Sequence, residues 1–426
     1  MTPRFPLPNQ SLSSSPWADE EVRRQAVEAH ARAVEAVIGW VEDQALTRLR
    51  QHGHIMHSDA EGIMVGVFRQ HTSRRLDPQL HTHAVISNRV RGADGRWLAL
   101  DARTIILDQR TLSALYHAGL RAELTHRLRV EWQVPVHGIA EIAGIPNVVL
   151  AEFSQRTTDV ERRLEEKLER FQENLGRDPT VKERWRLERE AVLESRPGKP
   201  WSPSLAELRE EWRHRVQALG LDPVRLVGQA IGRERWFQGI DLCDAARINS
   251  AGLHALVEGQ SSWRPAELVR ELAAAVPTTV TADAKRLTEY VQALADEAVK
   301  TRCADVSRPV PDGAALRRDG RPITEAVVDR ALTTQAILDE EEYLLDWGQR
   351  RIGADVSPTR RLSVAGTNGL AAAQIGGGGC CHRVSKLGAD CWPCRCRKDD
   401  RPGCRCCRSS ISGAQRVRDG THCCCR

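Results

Sequence analysis

An α+β fold is predicted, with an antiparallel sheet core near the N-terminus, a mostly helical region after it and a disordered C-terminal tail. Three observations predict it. Apolar residues recur at a helical period over residues 19–50, and three short β-rich segments broken by turn signals follow between residues 62 and 103. After about Ile352 all periodicity is lost and Gly, Cys and Arg dominate. The chain therefore divides into residues 1–195, 196–352 and 353–426.

Taken in order, Asp19 to Arg50 reads as one helix, because Val27, Val34, Ile38, Val41 and Ala45 fall at spacings of seven, four, three and four. Asp19, Glu20 and Glu21 give it an acidic first turn after Pro16. "GIMVGVFRQHTSR", "LHTHAVISNRV" and "RWLALDAR" read as three strands, the last two joined by a tight hairpin at Asp94-Gly95. The pattern turns helical from Thr104, passes through a strand "HGIAEIAG", and resumes in a long helix near 146–175. That helix carries "ERRLEEKLERF", a charged face read as solvated. Further helices are expected near 180–194, 205–219, 264–276 and 282–300, with an acidic one over 323–351. Pro197–Pro203 and Arg308–Pro322 read as linkers.

The overall charge of +5 conceals a division. Residues 357–426 hold 13 Lys and Arg against 4 Asp and Glu, which leaves 49 basic against 53 acidic groups in the body. The body thus makes no global electrostatic case for nucleic acid, and any such case rests on a local site. Only Cys243 and Cys303 among the 13 cysteines lie outside the tail, so the body does not depend on disulfides and fits a reducing compartment. No apolar run is long enough for a membrane span or a secretory signal, and a cytoplasmic location is expected.

The chemistry concentrates in "DPQLHTHAVISN", residues 77–88. On a strand, alternate side chains share a face, so His81 and His83 project together while Leu80, Thr82 and Ala84 face the other way. Two adjacent imidazoles are costly if protonated and natural if they share a divalent ion. The upstream strand offers a third donor with a register ambiguity: a one-residue slip decides whether Gln70 or His71 meets the pair. Histidine suits a transition metal, glutamine a harder ion. His52, His54 and His57 read as a solvent-facing loop cluster.

"FRQHTSRRLDPQLHTHAVISNRV" followed by "DGRWLALDAR" resembles the relaxase domain of the TrwC-type (MobF) conjugative relaxases, in the histidine-hydrophobe-histidine nuclease group. The resemblance continues through "AEIAGIP", "EFSQRTTDVE" and "GRDPTVKER", and more loosely to "TTQAILDEEEYLL", covering roughly residues 10–350. It implies an enzyme that nicks one DNA strand at a transfer origin through a tyrosine that becomes linked to the 5′-phosphate. It further implies three histidines holding a divalent metal (Mg, Mn or Zn) at the scissile phosphate, and a sheet floor that grips single-stranded or origin hairpin DNA. On this sequence His81 and His83 match two ligands. The third matching position is Gln70, with His71 one place later; His71 is expected to fill the role after a small register adjustment, with Gln70 in its place as the alternative, and Arg74 of the T-S-R run is a candidate phosphate contact.

Two parts of the family pattern have no match here. The nucleophilic tyrosines stand ahead of a turn that "PNQSLS" only loosely matches, and the tyrosines present, Tyr116, Tyr290 and Tyr343, all sit in helical patterns. No G-x-x-x-x-G-K-[ST] P-loop occurs, so the helicase module of long members has no counterpart. The expectation is a truncated relaxase: a partial relaxase domain over 1–195, a helical region over 196–352 leading toward a missing helicase, and a Cys/Arg/Gly-rich tail. It would bind metal and single-stranded DNA without nicking alone. The alternatives are a non-catalytic DNA-binding remnant that modulates a full-length relaxase, and a decayed gene product. The tail is read as disordered rather than as a zinc module, because its cysteines are too closely spaced and apolar residues around them are scarce.

Overall fold

The computed structural model describes residues 4–6, 19–51, 53–92, 94–136, 138–195, 198, 203–233 and 236–352. The expectations for His52, for "PNQSLS" and for the tail lie outside them. The candidate site lies in the compact unit Met1–Tyr343.

After a short strand β1 (Arg4–Pro6), helix α1 (Glu20–Asp43) starts where its acidic turn predicts. Asp19 caps it, its carboxylate accepting from the Val22 N–H at 2.8 Å. It ends earlier than the spacing suggests. "LTRLRQ" is a strand, β2 (Leu46–Gln51), paired along its length with β3 (His54–Asp59). Ala45 continued the apolar period, but the next residues bury only Leu46 and Thr47 and pair their backbone across the hairpin.

Strands β4 (Val65–Thr72), β5 (Pro78–Ile86), β6 (Arg89–Arg91) and β7 (Trp97–Leu100) complete two antiparallel sheets. One has the order β1-β5-β4 and the other β3-β2-β7-β6. The predicted hairpin joins β6 and β7, with Gly95 at φ +77° and the Asp94 carboxylate accepting from the Arg96 N–H.

Helices follow: α2 (Ala102–Leu107), α3 (Gln109–Leu128), α4 (Asn147–Glu152), α5 (Gln155–Leu175), α6 (Val181–Glu194), α7 (Leu205–Ala218) and α8 (Pro223–Ala230). Then come α9 (Ala245–Gly259), α10 (Pro265–Ala275), α11 (Ala284–Thr301) and α12 (Gln335–Ile352). The α+β class with antiparallel sheets is as expected.

Several local expectations fail for physical reasons. "HGIAEIAG" forms only isolated bridges, Trp132 with Ile142 and Val136 with Ile139, in a loop pinned from α3. There Arg121 donates to the Gly138 carbonyl, and Thr125 accepts from the Trp132 indole. The helix near 146–175 breaks where Phe153 turns into the core and the Ser154 hydroxyl donates back to the Leu150 carbonyl. Residues 323–334 form no α-helix; Val327–Asp329 is a single 3₁₀ turn, and Leu332–Thr333 pairs with Ala304–Asp305. Arg308–Pro322 is no linker, since Arg317 and Arg321 are buried and donate to the carbonyls of Pro322, Glu325 and Arg308. The periodicity reading missed α8 and α9.

The main core joins α1, α3, α9, α10 and α11 to the sheet. Small residues bring the helices close: a Cβ on Gly119 of α3 would stand 3.2 Å from that of Ala284 on α11. Buried Glu123 accepts from the Ala284 N–H at the start of α11 and from Arg127 on its own helix.

Two core histidines set the acid response. Burial pushes His30 down to about 3, helped by Arg69, His81 and His71, and pushes His117 down to about 4, helped by Arg121. Both lie below the unfolded value, so the unfolded chain takes up protons that the native state refuses. The stability is whole above about pH 6.5 and is lost as the pH falls through it toward 4, by at most about 1.4 kcal/mol per pH unit for each group. Urea unfolding at pH 7 and pH 5 is expected to show a net drop of roughly 2–3 kcal/mol, because buried Asp77, raised to about 6, takes up a proton in the folded protein over the same range and offsets part of the loss. Equal stability at the two would contradict the assignment.

A paired-histidine sheet face as candidate functional site

Strand β5 has two unlike faces. Leu80, Thr82, Ala84 and Ile86 are buried, and Thr82 faces α1, where its hydroxyl meets His30 Nε2 at 2.6 Å. The other imidazole nitrogen of His30 bonds the Tyr116 hydroxyl of α3 at 2.8 Å, so a buried polar chain ties two helices to the strand between His81 and His83. Burial holds the Tyr116 phenol far above its usual range. Nothing in the sequence beyond one polar residue inside the alanine-rich face of α1 signalled this.

His81 and His83 share the opposite face, as alternation predicts. Their ring centroids are 5.2 Å apart at 69°. His81 is buried, and its Nδ1 lies 3.0 Å from the Gln79 carbonyl. That bond selects the tautomer with hydrogen on Nδ1 and the lone pair on Nε2, the arrangement ligating histidines adopt.

The register of β4 places its candidates. Gln70 stands across from His81, Phe68 across from His83 and Gly66 across from Val85, so these six residues share one face. His71 occupies the irregularity between Gln70 and Thr72, where the pairing shifts. It is half-buried, and burial, then Arg69 and Arg209, lowers its pKa. Among the described residues no three His, Cys, Asp or Glu side chains are grouped to hold a metal ion. The register thus sets His81, His83 and Gln70 on one face, with His71 at the irregularity next to Gln70. The backbone of β1 flanks the other edge, Arg4 across from His83 and Pro6 across from His81.

The turn carrying Arg74 is held from outside the sheet. The Ser73 hydroxyl accepts from the N–H groups of Arg75 and Asp77, and Leu76 adopts a left-handed φ of +61°. The Leu76 carbonyl accepts from the Trp212 indole of α7 at 2.8 Å. Buried Asp77 pairs with Arg215 at 3.2 Å, and Arg215 also reaches Glu152 and stacks over Phe153. Burial raises Asp77 to about 6 against the pull of Arg215. Arg74 is half-buried in this turn, and its neighbour Arg75 bonds Asp159 of α5 at 2.7 Å.

The expected solvent-facing histidine cluster requires correction. His57 is buried and pairs with Asp101 at 2.9 Å. Burial alone would raise Asp101, but His57 and Arg103 at its oxygens outweigh it and hold the carboxyl below the usual range. This pair fastens β3 to the start of α2, well removed in role from the paired-histidine face.

Comparison with known proteins bears on the same segment. The family described as TrwC relaxase matches residues 5–219, half of the chain. The multifunctional conjugation protein TraI of Escherichia coli strain K12 is 27% identical over 209 residues, which is 47% of this chain and 11% of TraI. A second Escherichia coli TraI is 26% identical over the same length. The chain therefore spans about a ninth of these relatives. Among solved structures, the conjugative relaxase TrwC in complex with oriT DNA, copper-bound, is 31% identical with a TM-score of 0.43, covering 52% of this chain and 70% of that one. TrwC complexed with a 27-mer DNA comprising the recognition hairpin and the cleavage site gives the same identity and TM-score, covering 74% of that chain. No described helix is long and apolar enough to cross a membrane.

Proposed function

The chain belongs to the TrwC relaxase family, and from that membership we propose that it binds single-stranded DNA across the β4–β5 face, where His81 and His83 hold a divalent cation beside a backbone phosphate. The observation that carries the reading is the convergence of two imidazoles, 5.2 Å apart, on a face that also presents the Gln70 amide. Gln70 rather than His71 is the third donor, a choice supported by the register that sets it across from His81. The donor set fits an ion that accepts both nitrogen and oxygen, such as Mn²⁺. A divalent ion here supplies Lewis-acid stabilisation of charge on a non-bridging phosphate oxygen. The protein's own groups orient: the Gln79 carbonyl fixes the His81 tautomer, and Arg74, on the turn clamped by Trp212, is the candidate contact for a neighbouring phosphate.

Nicking by this chain alone is not part of the proposal. Tyr116 is 1% exposed and bonded to His30; Tyr290 lies beside Asp241, Cys243 and Asp244; Tyr343 is exposed on α12. None of the three stands on the β4–β5 face. The proposal is therefore confined to binding, with no attacking hydroxyl assigned among the three tyrosines.

Fluorescence anisotropy with a labelled single-stranded oligonucleotide, titrated in Mn²⁺ and again in EDTA, tests the reading. Binding that falls as salt rises, is stronger with Mn²⁺, and leaves the strand uncut is expected. Absence of binding in both conditions would refute it; cutting by the chain alone would refute the assignment of the tyrosines.

A further inference from the structure

We propose that Phe68 is a stacking platform for an unpaired nucleobase next to the phosphate at the histidine pair; this rests on the DNA reading above. Phe68 stands across from His83 on the same face of the sheet, and β4 is the edge strand of that sheet. The residue is 58% exposed on that face.

The strand is shaped around the ring. A Cβ on Gly66 would come within 3.1 Å of Phe68 Cε2 and 3.6 Å of Cζ, so the missing side chain is what lets the ring lie back along its own strand. Across from Gly66, Val85 is also partly exposed, which extends the apolar surface beside the ring. Residues directly opposite on antiparallel strands have Cβ atoms about 5 Å apart. A nucleotide with its phosphate at His81 and His83 therefore has its base, or that of a neighbour, within reach of Phe68. Stacking on an aromatic face is tolerant of base identity and carries no charge, so it complements a site whose charged contacts go to phosphate.

The test uses the full chain with labelled single-stranded oligothymidylate of twelve nucleotides. F68A is expected to bind about 10-fold more weakly, F68W within roughly 3-fold of the parent, and G66A between them because its methyl displaces the ring. The dependence of affinity on salt is expected to be unchanged in F68A, since no cation has been removed. A series of oligonucleotides with one abasic position each should reveal a position where the parent loses affinity and F68A loses none. Thermal unfolding of F68A should match the parent, as the ring is at the surface. Equal affinity of F68A and the parent, a changed salt dependence, or the same abasic penalty in both would overturn the platform while leaving the DNA reading intact. A parent that binds no oligonucleotide overturns both.

Discussion

Trp212→Ala is expected to lower the stability of the protein by about 3–5 kcal/mol. Trp212 is fully buried in a small core of its own, against Val149, Phe153, Leu208, Val216 and Leu226. Truncation leaves a void there and strips the Leu76 carbonyl of the indole N–H that holds the β4–β5 turn. Trp212→Phe keeps most of the volume and loses the hydrogen bond, so a smaller cost of about 1–2 kcal/mol is expected. Urea unfolding monitored by far-ultraviolet circular dichroism measures both. A loss below about 1 kcal/mol for the alanine variant would show that this core contributes little. The turn links that core to the site, so the alanine variant is also expected to bind DNA more weakly at temperatures where it remains folded.

His83→Ala is expected to reduce Mn²⁺ affinity at least about 100-fold, and His81→Ala to do the same. Each removes one of the two imidazoles that converge on the β4–β5 face. The Gln70→Ala variant is expected to lose less, about 10-fold, because an amide oxygen is a weaker donor than imidazole to such an ion. His71→Ala should be close to the parent. Isothermal titration with Mn²⁺ reads all four, and unchanged affinity in His83→Ala would remove the pair from the metal site.

How much of this was legible in the sequence varies with the physics involved. Period-two alternation gave the shared face of His81 and His83, and Asp94-Gly95 gave its hairpin, because both depend on residues close in sequence. The choice between Gln70 and His71 was not legible, because register is decided across strands and the irregularity after Gln70 has no composition signal of its own. Three polar residues were misread or missed for a common reason. His57, Asp77 and His30 are buried through partners distant in sequence: Asp101, Arg215, and the pair Thr82 and Tyr116. Local polarity marks such residues as exposed, and only the folded chain reveals the compensating group. Arg317 and Arg321 repeat the lesson, since a Pro- and Arg-rich stretch that reads as a linker is packed through guanidinium–carbonyl bonds.

One cation is proposed to sit between His81, His83 and Gln70. Crystals grown with Mn²⁺ and measured near the manganese absorption edge test it directly, because the anomalous signal locates the ion without reference to the protein. The expected map shows a peak about 2.0–2.4 Å from one ring nitrogen of each histidine and from the Gln70 amide oxygen. A saturated crystal with no peak between the two rings would contradict it.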